Sequence, residues 1–254
     1  MILIPHYNRN KNVPPKKIFF IKYFLGVFFQ KKIHACQYSW TETAVYDKEV
    51  AHLAHFMYFC AVNKLNKGMS HNLLKGKRGI IFGALNEMSI AWKVAEKAVE
   101  EGATITLSNT PVAVRMGEVD ALAKKLNAEV LPADATSVED LEMVFSKSVE
   151  ILGGKIDFVL HSIGMSPNVR KKRTYDDLDY DMLGKTLDIS AVSFHKMLQV
   201  AKKQDAIADC GSVLALSYVA AQRTFFGYND MADAKSLLES IARSFGYIYG
   251  REKG

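Results

Sequence analysis

The sequence predicts an α/β fold, a doubly wound parallel β-sheet with helices on both faces. Three observations predict it. Short apolar runs rich in β-branched residues alternate with helix-period stretches of about 10–20 residues from Met69 onward. Small residues follow the first and fourth runs, at Gly83 and at Ser162-Ile163-Gly164, where open α/β sheets bind ligands. The composition, 49% apolar and 24% charged in 254 residues, is ordinary for one domain with a large core.

The elements follow in order. Gly79–Gly83 reads as a strand and Ser89–Glu101 as a helix. Ala103–Ser108 is a β-branched, alternating strand, and Val114–Leu126 a helix. Glu129–Pro132 is a strand, Val138–Leu152 a helix and Ile156–Ser162 a strand. Leu187–Lys203 is a long helix, Ser212–Ser217 a fifth strand and Tyr228–Gly250 a final helix. Strands separated by helices need right-handed crossovers, which gives a parallel sheet.

The net charge of +6 is unevenly spread. Residues 1–68 hold ten Lys/Arg against three Asp/Glu, a net +7, which leaves −1 for residues 69–254. The basicity therefore says little about nucleic-acid binding by the body, and none is expected. Residues 18–29 are an apolar run interrupted by Lys22, too short for a bilayer span, which needs about 20 residues. We read residues 1–68 as a basic leader outside the fold, either upstream read-in sequence or a targeting segment, and 69–254 as the domain. The expected location is cytoplasmic, or organellar if the leader is a transit peptide. Of Cys36, Cys60 and Cys210, only the last lies in the body, and no metal-ligand spacing occurs, so neither disulfides nor a metal are expected.

Gly83 ends the first strand and permits a tight turn. A helix opening near Ser89-Ile90 would offer free N–H groups and a positive dipole end to a pyrophosphate. The dinucleotide fingerprint G-x-G-x-x-G is incomplete, since only the first glycine is present. No acid lies between Ala103 and Gly117 to hold ribose hydroxyls, and Arg115 could meet a 2′-phosphate or simply be solvated, so the choice between NADH and NADPH stays open. Asp134-Ala135 follows the third strand, where the Asp could hold an adenine amino group or cap the next helix. His161 ends an apolar strand and is expected to be packed rather than to act as a base.

Tyr228 and Lys235 are seven residues apart, which predicts one helix face and a separation of about 10 Å along the axis. A lysine so placed can reach a cofactor ribose and would favour ionisation of a nearby phenol.

These motifs resemble those of the enoyl-[acyl-carrier-protein] reductases, NADH-dependent members of the short-chain dehydrogenase/reductase superfamily. The resemblance rests on Gly83-x5-Ser89-Ile90-Ala91, His161-Ser162-Ile163-Gly164, Leu187-Asp188-Ile189-Ser190, Leu216-Ser217-Tyr218 and Tyr228-x6-Lys235, and covers essentially Met69–Gly254. Ketone-reducing relatives have Tyr-x-x-x-Lys, with a serine 13 residues before that tyrosine. Here those two positions hold Met231 and Tyr218.

The resemblance implies a Rossmann-type sheet and hydride transfer from NADH, or NADPH, to a trans-2-enoyl thioester on acyl carrier protein, in fatty-acid elongation. It implies Tyr228, Lys235 and Tyr218 as catalytic residues. Gly83, Ser89, Ile90, Asp134, Ala135, Ser162, Ile163, Gly164, Leu216 and Lys235 would hold the cofactor. Met165, Tyr218, Tyr228 and Met231 would line the substrate site. It also implies a homotetramer, with no membrane partner. Against the family, the last strands and the substrate-covering loop are expected to be lacking. This keeps open an inactive fragment or a non-enzymatic NAD(P)-binding protein, beside a short-chain dehydrogenase acting on a ketone. The basic run Arg170–Arg173 reads as a solvated loop that could attract an acidic carrier.

Overall fold

The computed structural model describes residues 70–116 and 118–253. The leader at 1–68 and the domain start at Met69 lie outside the described residues. Five parallel strands form one sheet: β1 (Arg78–Phe82), β2 (Thr104–Asn109), β3 (Glu129–Pro132), β4 (Ile156–His161) and β5 (Ile207–Ala215), in the spatial order β3-β2-β1-β4-β5. The chain winds outward from β1 through β2 to β3, then returns to place β4 on the other side of β1. The order reverses between β1 and β4, so a crevice opens beyond their carboxyl ends.

Strand alternation divides the core into two layers. Ile80 and Phe82 point to the face covered by α4 (Val138–Ile151), α7 (Ser193–Lys203) and α8 (Asp230–Glu252). Ile81 points to the other, covered by α1 (Ile90–Glu100) and α3 (Val119–Leu126). Both faces of β1 are apolar because both are buried, as expected of a central parallel strand. Local signals start and stop the helices. Ser89 caps α1 by accepting from the Trp92 amide, and Ser137 caps α4 by accepting from the Asp140 amide. Asn127 ends α3 in the left-handed region, φ 50°.

Four expectations change. The helix expected over Val114–Leu126 is two pieces, α2 (Pro111–Arg115) and α3, because Thr110 caps the first and Pro111 suits its opening turn. Segments with no clear sequence signal form α5 (Pro167–Arg170) and α6 (Tyr180–Leu187). The latter runs into a π-helical turn at Asp188–Val192 and then into α7. β5 begins at Ile207 rather than Ser212. Its register against β4 shifts between Ile156 and Phe158, and Cys210 takes φ 58° there. The last helix begins at Asp230, so Tyr228 lies outside it. No helix among the described residues is long and apolar enough to cross a membrane.

Candidate active site

The crevice is built from strand ends, starting with Gly83. Its φ is +91°, and a Cβ there would lie 2.1 Å from the Ser162 carbonyl oxygen, so only glycine fits between the ends of β1 and β4. The following loop is buckled by Ser89. Its hydroxyl donates to the Asn86 carbonyl at 2.8 Å and accepts from the amides of Leu85, 3.2 Å, and Trp92, 3.4 Å. Ser89 thus shapes the loop, with no hydroxyl proton left to give, and the start of α1 at Ile90 is half exposed. The first N–H groups of a helix have no intrahelical acceptor, which leaves this end suited to an anion.

Beside it lies a cleft lined by Phe82, Ser108, Thr110, Asp134, Ala135 and Ile163, among others. The sequence reading placed Asp134, Ala135 and Ile163 here and missed Ser108. The Ser108 hydroxyl is buried and has no hydrogen-bond partner, which fits a site awaiting a polar ligand. The only signal for it was a serine near the end of an apolar strand. Asp134 is exposed and accepts from the amide and hydroxyl of Thr136 through Oδ1. Ser137, not Asp134, caps α4, so the capping alternative is set aside. Asn109 stands where an acid for ribose hydroxyls would be. Its amide donates to the Ala84 carbonyl and its oxygen accepts from the Thr110 amide.

Beneath the β4 end, His161 is fully buried against Phe194. The Ser193 hydroxyl gives its proton to the Ile189 carbonyl at 2.7 Å, so it accepts from His161 Nε2 at 2.9 Å and leaves Nδ1 as the bare nitrogen. Burial, reinforced by the Lys235 charge, lowers the imidazole to about 3. This neutral ring is packing, as expected from its place on an apolar strand.

Lys235, 6% exposed, reaches from α8 to both strand ends. Its ammonium donates to the Leu216 carbonyl at 2.8 Å and the Ile163 carbonyl at 3.2 Å, which leaves one N–H for a ligand. Burial lowers it to about 8. Gly164 lies beside it, and a Cβ there would sit 3.5 Å from Nζ and 3.8 Å from the Met231 methyl carbon. Gly164, Met231 and Lys235 are therefore brought together. The Tyr218 and Tyr228 rings pack at 4.5 Å between centroids, tilted by 35°, and Phe225 closes the group edge-on at 5.4 Å from Tyr218.

The helix-face argument for Tyr228 is corrected here. Asn229, with φ 46°, precedes α8, so Tyr228 is delivered by a loop rather than by a helical turn. The expected ionisation of the phenol is corrected too. Tyr228 is raised above its ordinary value by burial and by Tyr218, because low-dielectric surroundings penalise the phenolate. The sequence also gave no warning of Asp230. Its fully buried carboxylate accepts from Ser166 Oγ at 2.7 Å, Asn168 Nδ2 at 2.9 Å and Thr186 Oγ1 at 2.8 Å. These bonds tie α5 and α6 to the tip of α8. Met165 is held beside them, its amide donating to Ser190 Oγ at 2.9 Å.

A family profile described as "Enoyl-(Acyl carrier protein) reductase" matches residues 83–253. The chain is 38% identical over 173 residues to enoyl-[acyl-carrier-protein] reductase [NADH] 1 of Rhizobium meliloti, covering 67% of this chain and 62% of that one. It is 33% identical to enoyl-[acyl-carrier-protein] reductase [NADH] FabI of Rickettsia bellii, covering 69% and 66%. A FabI–NADH complex from Alistipes finegoldii superposes with a TM-score of 0.71 at 75% identity, covering 72% of this chain and 65% of that one. The chain thus spans 62–66% of the length of these curated relatives. A parallel sheet reversing at β1/β4, a buried lysine joining two strand ends and the profile match over 83–253 agree, and the chain belongs to the enoyl-(acyl-carrier-protein) reductase family.

Proposed function

We propose that this chain reduces the trans-2 double bond of an enoyl thioester borne on acyl carrier protein, with NADH as reductant. The observation that carries the reading is the Tyr218–Tyr228 ring contact, with Tyr218 two residues beyond the Leu216 carbonyl that Lys235 holds, in a chain whose ketone-type tyrosine position holds Met231. Family membership and the likeness to a FabI–NADH complex support it.

The residues present fit the cofactor. Ser108, Asp134 and Ala135 suit the adenosine end, where the unpartnered Ser108 hydroxyl lies. Gly83 and the α1 start at Ser89-Ile90 suit the pyrophosphate. Ser162, Ile163, Gly164 and Leu216 flank the reacting end, and the remaining N–H of Lys235 suits ribose hydroxyls. When bound, NADH supplies hydride to the β-carbon. The protein's part is electrostatic. Negative charge collects on the thioester oxygen, and Tyr228 Oη donates to it while Tyr218 holds the phenol in place. Because burial keeps Tyr228 protonated, it is a donor throughout the neutral range and can pass its proton towards the α-carbon, with solvent restoring it. Met165 and Met231 offer apolar surface to the acyl chain.

The test is NADH oxidation with crotonyl thioester against simple ketones. Turnover of the thioester alone is expected, and ketone reduction without thioester reduction sinks the reading. Assembly as a homotetramer is part of the same proposal, read by sedimentation.

A further inference from the structure

We infer that Glu239 is the residue that positions Tyr218, and through it Tyr228. The inference rests on the function proposed above and deepens it. Glu239 lies one turn beyond Lys235 on α8, so the two share a face. Lys235 holds the Leu216 carbonyl. Glu239 Oε1 accepts from Ser217 Oγ at 2.8 Å, and Oε2 accepts from Gln222 Nε2 at 3.1 Å. Between them, Ser236 Oγ donates to the Ala221 carbonyl at 2.8 Å. Residues 216–222 are therefore fastened to one helix at both ends.

Tyr218 projects from the middle of this span. Its own backbone is extended and opens only a three-residue 3-10 turn, Val219–Ala221, so no regular ladder fixes it. Its ring is 38% exposed and rests on Tyr228. The ring contacts only other residues of the same loop region, Phe225 and Tyr228, so the place of the group is set by the helix anchors on either side of Tyr218, the Glu239 bonds among them. Glu239 itself is 7% exposed. An apolar side chain would fill that position without the penalty of burying a carboxylate. Both oxygens hold the segment that carries Tyr218, and among the described residues the one further partner is Arg243, 4.0 Å from Oε2 on the same helix. Glu239 lies on the far side of Lys235 from Met231 along α8, so it acts through the segment it holds, which carries Tyr218.

The experiment compares wild type, Glu239→Ala, Glu239→Gln and Ser217→Ala in the full chain. Tyrosine nitration by tetranitromethane is read residue by residue through peptide mass spectrometry. Opening the segment should raise the nitration rate of Tyr218 about threefold in Glu239→Ala, leaving exposed Tyr180 unchanged. Glu239→Gln keeps an acceptor for Ser217 and should restore the wild-type rate, while Ser217→Ala should fall between. In turnover, misplacing the donor should lower kcat about tenfold in Glu239→Ala with NADH affinity unchanged. An unchanged Tyr218 rate in both Glu239→Ala and Ser217→Ala overturns the inference. So does a rise at every tyrosine, which would mark general loosening. If Glu239→Ala fails to fold, Ser217→Ala and Glu239→Gln decide. Nitration needs no turnover, so a wild type inert on enoyl thioesters would sink the proposed reaction while leaving this question answerable.

Discussion

The Lys235 ammonium and the Leu216 carbonyl meet at 2.8 Å, and the same ammonium reaches Ile163 at 3.2 Å, so one charge joins the ends of β5 and β4. Lys235→Ala should weaken NADH binding and also lower the melting temperature, because two carbonyls lose a donor in a buried place. Burial holds the folded amine at about 8 against 10.5 for the unfolded chain. As pH rises through about 8 the cofactor loses its ammonium partner, and NADH affinity should fall. The fold responds in the opposite sense. The penalty of a buried charge is relieved between about 8 and 10.5, so stability gains there. Isothermal titration and thermal melts at pH 7 and 9 check the two directions, and Lys235→Arg, always charged, should flatten both.

Tyr228→Phe should leave NADH affinity intact and lower kcat by about 10²-fold, the scale of one lost donor to a developing oxyanion. Because burial and Tyr218 raise the phenol, the rate should show no alkaline fall from Tyr228 below its ordinary value of 10. Stopped-flow hydride transfer across pH 7–10 reads this. An unchanged rate in the variant would move the donor role to Tyr218.

Asp230→Ala removes the shared acceptor of Ser166, Asn168 and Thr186. Asn168 keeps the Asp179 carbonyl and Thr186 the Met182 carbonyl, so the Ser166 hydroxyl is the donor left stranded. Leaving one buried donor unmet costs about 1–3 kcal/mol, a drop of roughly 2–12 °C for a domain of this size. Calorimetry should show it, and Thr186→Val, which removes one hydroxyl donor rather than the common acceptor, should cost less.

Glu101, at the end of α1, accepts from the amides of His71 at 3.0 Å and Leu73 at 3.2 Å and pairs with Lys97 at 3.1 Å. Burial alone would raise this carboxyl, but the two amides and Lys97 outweigh it and hold it below 4.5. A depressed carboxyl adds stability above its unfolded value and loses it as pH falls through the folded one. Glu101→Gln should therefore be less stable by about 1–2 kcal/mol at pH 7. The gap should close below about pH 4.5, as urea melts at both pH values would show.

Much of the fold was legible because its signals are local. β1, β3 and β4 fall within a residue of the runs that predicted them, since period and turn residues set them. Gly83 and Ile163 were legible as strand-end residues, and Lys235 as a helix residue able to reach back towards them. What escaped was set by distant contacts. Tyr228 falls outside α8 because Asn229 turns the chain and Asp230 is pinned by residues 44 to 64 positions away, which no helix-period count can register. Ser108 escaped because an unsatisfied hydroxyl becomes visible only when its neighbours are known.

The π-helical turn at Asp188–Val192 has a consequence of phase. One residue more per turn lets α6 and α7 follow each other without sharing a common azimuth. Ser190 can then face Met165 while Phe194 and Met197, on the next turns, face the sheet. Deleting any single residue from this turn would advance α7 by about 100° against α6. Either Ser190 would swing off Met165 or the apolar stripe would swing off the core. The placing of Met165 is thus written in the number of residues between Leu187 and Ser193 as much as in their identity.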